Sequence, residues 1–158
     1  MDGDFRLQRP DRPAVVLDSN ILIAYALLGA EVPRRSLAIA DSVALSMEHC
    51  RVLLSPATRL EVVEVLERKD FDRYKHRDLR MASLSAVLDR AEMLVPTSIV
   101  RQCRDPEDDM FLELALDGNA QWLVSVDHQL LAVRRIGNAE ILRPERFLQR
   151  LEAMGIIP

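Results

Sequence analysis

"DPEDDMFLELALDGNAQWLVSVD", residues 105–127, decides the fold. It opens with four acids in five residues, Asp105, Glu107, Asp108 and Asp109. A helical apolar run over about 108–117 follows. "WLVSVD" (122–127) then reads as a buried strand that ends on a further acid, Asp127. A helix feeding a short apolar strand is half of an alternating unit, and the rest of the chain repeats the pattern.

Upstream, "AVVLD" (14–18) is a continuous apolar run of the kind found in strands buried on both faces. "SNILIAYALLG" (19–29) turns helical, with Gly29 as its stop, and "RRSLAIADSVALSMEHC" (34–50) is a second amphipathic helix. "RVLLS" (51–55) is a strand, and "PATRLEVVEVLERK" (56–69) is a helix with proline where the first turn tolerates it. The charged link "DFDRYKHRD" leads to a helix, "LRMASLSAVLDRA" (79–91), and a third strand, "EMLVP" (92–96). Beyond Asp127 come a short helix, "HQLLAVRR", a strand, "AEILR" (139–143), and a closing helix, "PERFLQRLEAMG". Strands alternating with helices imply a parallel sheet of about five strands covered on both faces, an α/β three-layer α/β/α sandwich. We expect residues 1–13 to form a flexible arm and residues 14–158 one domain, a length that buries a core without staples.

Composition narrows the class. With 49% apolar and 29% charged residues the chain reads as soluble and globular. A net charge of −4 gives no global attraction to nucleic acid, although a local basic face is compatible with it. Only Lys69 and Lys75 are lysines among 21 basic residues, and Arg59, Arg101 and Arg104 are candidates for reaching a phosphate backbone. Two cysteines, Cys50 and Cys103, make no disulfide framework, so a reducing cytoplasmic compartment is expected. Neither a secretory signal nor a run long enough to span a membrane is visible. The motifs HExxH, CxxC and GxxxxGK[ST] are absent.

In open parallel sheets, ligands bind beyond the carboxyl ends of the strands. Asp18 ends the first strand and Asp127 the fourth. Asp108 and Asp109 start the helix leading into the fourth, and Glu61 lies about two turns into the helix after the second. Each has an ordinary reading as well. Asp18-Ser19-Asn20 and Asp127 suit helix caps, the acids at 105–109 suit a helix amino terminus, and Glu61, like Glu64, suits a solvated helix face. Those readings leave unexplained why all of them fall at one edge. Two carboxylates about 4 Å apart repel by roughly 4 kcal/mol at an effective dielectric near 20. A cluster of four calls for protons or a hard divalent cation such as Mg²⁺, the equipment of phosphodiester hydrolysis.

Four segments resemble the PIN-domain nucleases, and among them the bacterial VapC-like toxins of toxin–antitoxin pairs. They are "VVLDSNILIAYAL", "SPATRLEVVEVLERKDFDRY", "CRDPEDDMFLELAL" and "WLVSVDHQLL", spread from about Ala14 to Leu148. The resemblance implies a sheet ordered 3-2-1-4-5 and a Mg²⁺- or Mn²⁺-dependent endoribonuclease. Asp18, Glu61, Asp108 and Asp127 would be its catalytic and metal-binding acids, with Asn20, Asp109 and Ser125 accessory. It also implies an antitoxin partner and a homodimer. Counting back seven residues from Ala115 selects Asp108 as the third acid. Asp109, about 100° away on a helix, is the reserve and would lean to solvent, while Asp105 starts the turn with Pro106. Two departures from the family's T-G-D-x-D-L-L segment stand out: Val126 replaces the glycine, and Gln129 replaces an acid. Two other readings stay open. One is a non-catalytic PIN-like interaction domain. The other is an aspartate-based phosphatase or phosphotransferase, which wants D-x-D where this chain has Asn20.

Overall fold

The computed structural model describes residues 12–28 and 37–158. The chain runs β1 (Ala14–Leu17), α1 (Ser19–Ala26), α2 (Leu37–His49), β2 (Arg51–Leu54), α3 (Pro56–Leu66), a 3-10 turn (Lys69–Phe71), α4 (Arg77–Leu88) and β3 (Glu92–Met93). It continues through α5 (Pro106–Asp117), β4 (Trp122–Val124), α6 (His128–Val133), β5 (Arg135–Ile136), β6 (Ala139–Leu142) and α7 (Pro144–Ala153). The sheet order is β3-β2-β1-β4-β6-β5. Every pairing is parallel except that of β5 with β6. The expected 3-2-1-4-5 order is therefore present, with β6 as its fifth strand. Gly29, and the first three residues of the helix expected over 34–50, lie outside the described residues, as does the expected arm up to residue 11.

Side-chain alternation along the central strands builds two cores. Val15 and Leu17 of β1, Val52 and Leu54 of β2 and Trp122 and Val124 of β4 join one core with α1, α2, α3, α4 and α7. Ala14 and Val16, Leu53 and Leu123 face the other, closed by α5 and α6. Successive strand side chains point to opposite faces, so a strand apolar at every position is buried on both. All four residues of β1 are buried, and at the middle of the sheet this carries Asp18 to its carboxyl edge.

Two departures have physical causes. The strand expected over 92–96 pairs only at Glu92 and Met93, because β3 is an edge with one neighbour, β2. The stretch read as the end of the "HQLLAVRR" helix instead contributes Arg135 to a sixth strand. Helix α6 stops at Val133, where Arg134 takes a φ of 68°, and β5 then turns back onto β6 through Gly137 and Asn138. Gly137, with a φ of 56°, supplies the left-handed backbone such a two-residue turn favours. Arg12 and Pro13, the last residues of the expected arm, are tied down: Arg51 donates to both of their carbonyls, and Arg12 donates to that of Glu48. None of the helices is long and apolar enough to cross a membrane among the described residues.

Candidate active site

Four chain segments bring their acids to one edge of the sheet. Asp18 continues the ladder, donating its backbone N–H to Val124 at 3.0 Å, and its carbonyl accepts from the first turn of α1. Its position is that of a helix cap, yet its carboxylate makes no capping bond. Oδ2 instead accepts the Ser125 hydroxyl at 2.6 Å, and the Ser125 oxygen accepts the Asp127 N–H at 2.9 Å. The Ser125 proton is thus committed to Asp18, and one hydroxyl ties the carboxyl ends of β1 and β4 together. Asp127 itself caps α6, with Oδ1 accepting the Gln129 N–H at 2.7 Å. Its capping and site readings therefore coexist.

Glu61 reaches the edge from α3, where Ser55 and Thr58 form a reciprocal capping box. Its Oε2 accepts the hydroxyl of buried Ser19 at 2.5 Å. Asp108, half-buried on the first turn of α5, feels the charges of Asp127, Asp105, Asp18 and Glu61. Asp105 starts the turn, as expected, and caps the helix by accepting from Glu107. Asp109 departs from expectation. It is not turned to solvent but only 6% exposed, and its Oδ1 accepts the N–H groups of Gln102 and Cys103 at 3.0 and 2.9 Å. Its environment is the loop before α5, and its carboxylate fixes that loop. Asn20 is exposed, as are Arg59, Arg101 and Arg104. Val126 packs against the first core, an apolar contact that the glycine usual here would lack.

The electrostatics are those of a group of acids with little compensation, Arg68 acting weakly on Glu61 alone. Burial, with added repulsion from Asp127 and Glu61, pushes Asp18 up to about 6 despite the Ser125 hydrogen bond. Burial also raises Asp108 to about 6, followed by its acidic neighbours. Glu61 is raised by burial, with repulsion from Glu107 and Asp105 adding to it and the Ser19 bond opposing it. None of Asp18, Glu61, Asp108 and Asp127 forms an ion pair among the described residues. Burial pushes the nearby Cys103 thiol up to about 11, and the surrounding acids add to the shift. Among the described residues, no three acidic, imidazole or thiol groups already stand in an arrangement that would hold a metal ion. Asp18 and Glu61 are each held by a separate serine hydroxyl.

Sequence reasoning missed Ser19 and Gln129 as structural members of the site. Ser19 was legible only as a cap, although a hydroxyl directly after a strand-end aspartate is well placed to reach a neighbouring carboxylate. Gln129 was read as a lost acid, whereas its Oε1 accepts the Arg104 N–H at 3.1 Å and joins α6 to the loop before α5.

Acids at the ends of β1 and β4 and on α3 and α5 thus stand along the carboxyl edge of a mostly parallel sheet. A family model described as PIN domain matches residues 14–129, well over half of the chain, and the protein belongs to that family. Its members are generally hydrolytic nucleases that use divalent metal ions. Two solved structures share the fold. One is VapBC2 from Rickettsia felis bound to a DNA fragment from its promoter, with a TM-score of 0.52 and 16% identity, covering 81% of this chain and 96% of that one. The other is PAE2754 from Pyrobaculum aerophilum, with a TM-score of 0.58 and 18% identity, covering 89% of this chain and 90% of that one. A comparison with curated proteins finds no match.

Proposed function

We propose that the protein is a divalent-metal-dependent endoribonuclease and the toxin of a type II toxin–antitoxin pair. Asp18, Glu61, Asp108 and Asp127 would hold Mg²⁺ or Mn²⁺. The observation that carries this reading is a set of four acids from separate segments gathered without a basic partner, with Asp18 and Asp108 both raised to about 6. Such an arrangement costs stability in the folded protein and is relieved by a cation. The donors are all carboxylate oxygens, which suits a hard ion that keeps several waters. A bound divalent ion supplies polarisation of the scissile phosphate, acidification of water and stabilisation of the leaving oxygen.

The chain's own residues do the rest. Ser125 and Ser19 donate to the carboxylates of Asp18 and Glu61, and each acid keeps its other oxygen for an ion. Asp109 ties the loop before α5 to the helix turn that carries Asp108. Asp109 and Asn20 act at the margin of the site, and Arg59, Arg101 and Arg104 supply positive charge for a phosphate backbone. The likeness to VapBC2 supports a cognate antitoxin as the partner. A cytoplasmic homodimer built from a single domain over residues 14–158 completes the proposal.

The test is incubation of the purified protein with total RNA, with and without Mn²⁺, followed by mapping of new ends. Cleavage that needs Mn²⁺ and disappears in Asp18→Asn is expected. The open spacing of the acids favours one other reading, a non-catalytic PIN-like interaction domain. That reading gains if the wild-type protein yields no new ends and binds no divalent metal.

A further inference from the structure

Beside the acids, between the loop before α5 and the start of α6, lies a cavity of about 370 Å³ lined by Gln102, Cys103, Arg104, His128, Gln129 and Ala132. It adjoins the site on two sides. His128 and Gln129 directly follow Asp127, and the Gln129 N–H is bound to the Asp127 carboxylate. On the other wall, the Cys103 thiol lies within electrostatic reach of Asp109, Asp108 and Asp127.

The walls are held by backbone anchors. Asp109 accepts the N–H groups of Gln102 and Cys103, and the Gln129 Oε1 accepts that of Arg104. The side chains are unspent. Among the described residues, no hydrogen bond or ion pair engages the Gln102 amide, the Arg104 guanidinium or the His128 imidazole. A preformed cavity with a few convergent polar groups is the usual form of a small-ligand site. This one places a guanidinium, which recognises phosphate in bidentate fashion, next to an acidic group that would otherwise repel a polyanion. The depression is shallow and open to solvent, so an unstacked nucleotide can enter it from the surface.

We propose that this cavity is the subsite for a nucleotide flanking the scissile bond in a single-stranded RNA, with Arg104 on its phosphate and Gln102 and His128 on the edge of its base. The proposal rests on the reading of RNA as substrate, and it makes the enzyme selective for the base at that flanking position. Single-stranded RNA is recognised through unstacked bases whose edges are free to hydrogen-bond.

The experiment uses Asp18→Asn protein and a single-stranded RNA oligonucleotide carrying one 4-thiouridine, photo-crosslinked and mapped by peptide mass spectrometry. Crosslinks in the 102–104 or 128–132 segments are expected. Arg104→Gln should weaken binding of the same oligonucleotide by about tenfold, the effect of one lost charged contact. It should not change the melting temperature, because the bond to Gln129 uses the backbone N–H. In otherwise wild-type protein, Gln102→Ala and His128→Ala should relax the base preference at one position beside the mapped ends. Crosslinks elsewhere together with unchanged binding by Arg104→Gln would overturn the subsite, even if Mn²⁺-dependent cleavage proceeds. Crosslinks in the cavity without cleavage by the wild-type protein would instead sink the nuclease reading and leave an RNA-binding site.

Discussion

Asp18, Asp108 and Asp109 are all shielded carboxylates, but their removal should act on stability in different directions. Asp18 is desolvated among like charges, so Asp18→Asn, which keeps its shape and an acceptor for Ser125, should leave the metal-free melting temperature unchanged or higher. Asp108→Ala removes a half-buried charge that repels four neighbours and should likewise not lower it. Asp109→Ala removes the acceptor of the partly buried Gln102 and Cys103 N–H groups, a loss of about 1 kcal/mol. Its melting temperature should fall. Both Asp18→Asn and Asp108→Ala should abolish Mn²⁺-dependent RNA cleavage. Melts in chelator, run alongside cleavage assays, check all three variants. If Asp109→Ala loses cleavage with an intact fold while Asp108→Ala keeps it, the third acid is Asp109. At this scale the sequence made the acids legible, because strand ends and helix starts are read from apolar runs. Burial was not legible. A 100° step along α5 separates two directions, but which of them meets a loop depends on residues 102–103 folding back.

At the scale of elements, the charged link between α3 and α4 proves to be a clamp. Arg80 is fully buried and donates to the carbonyls of Leu66, Arg68 and Lys75 and to the Asp72 carboxylate. Lys75 donates to the carbonyls of Ala26 and Leu28, at the end of the helix that Asp18 begins. Orphan carbonyls at helix ends need such partners. Arg80→Met keeps much of the volume but leaves one buried and two partly buried carbonyls short of a donor, a cost on the order of 3 kcal/mol. Urea unfolding should show that loss, and a smaller one for Lys75→Met, since Lys75 engages two carbonyls rather than three. A wild-type midpoint for Arg80→Met would contradict the clamp. None of this was legible in "DFDRYKHRD", since a run of charges reads as solvated until its partners are known. The long helices and buried strands were legible to within a few residues because their periodicity is strong. β5 was not: two residues give no period, and only the Gly137-Asn138 pair signalled a hairpin.

For the whole molecule, the pH dependence follows from the raised acids. Asp18 and Asp108 titrate near 6 in the folded protein, against 3.8 for an ordinary aspartate. The folded state therefore holds protons that the unfolded state releases. The stabilisation those two groups give is fully present below about 3.8 and is lost as pH rises through about 6, with no further change above. Metal acts in the opposite sense, because its ligands must be deprotonated, so its affinity should climb through the same window. The parallel sheet and the side on which the acids gather were legible from alternation, and the strand order from the family resemblance. The open spacing of the acids was not, because it depends on which side chains the Ser19 and Ser125 hydroxyls meet in the folded chain.

The central claim is that these four acids form one cation site, and thermal unfolding at pH 7.5 with and without millimolar Mn²⁺ or Mg²⁺ tests it most directly. Binding to the folded state alone at a hundredfold excess over Kd stabilises by about 2.7 kcal/mol. For a chain of this size that is a rise of roughly 5–10 °C. The account predicts that rise in the wild-type protein and in Glu64→Gln, a smaller rise in Glu61→Gln and Asp127→Asn, and a weaker effect below pH 6. A melting temperature indifferent to both ions would contradict it.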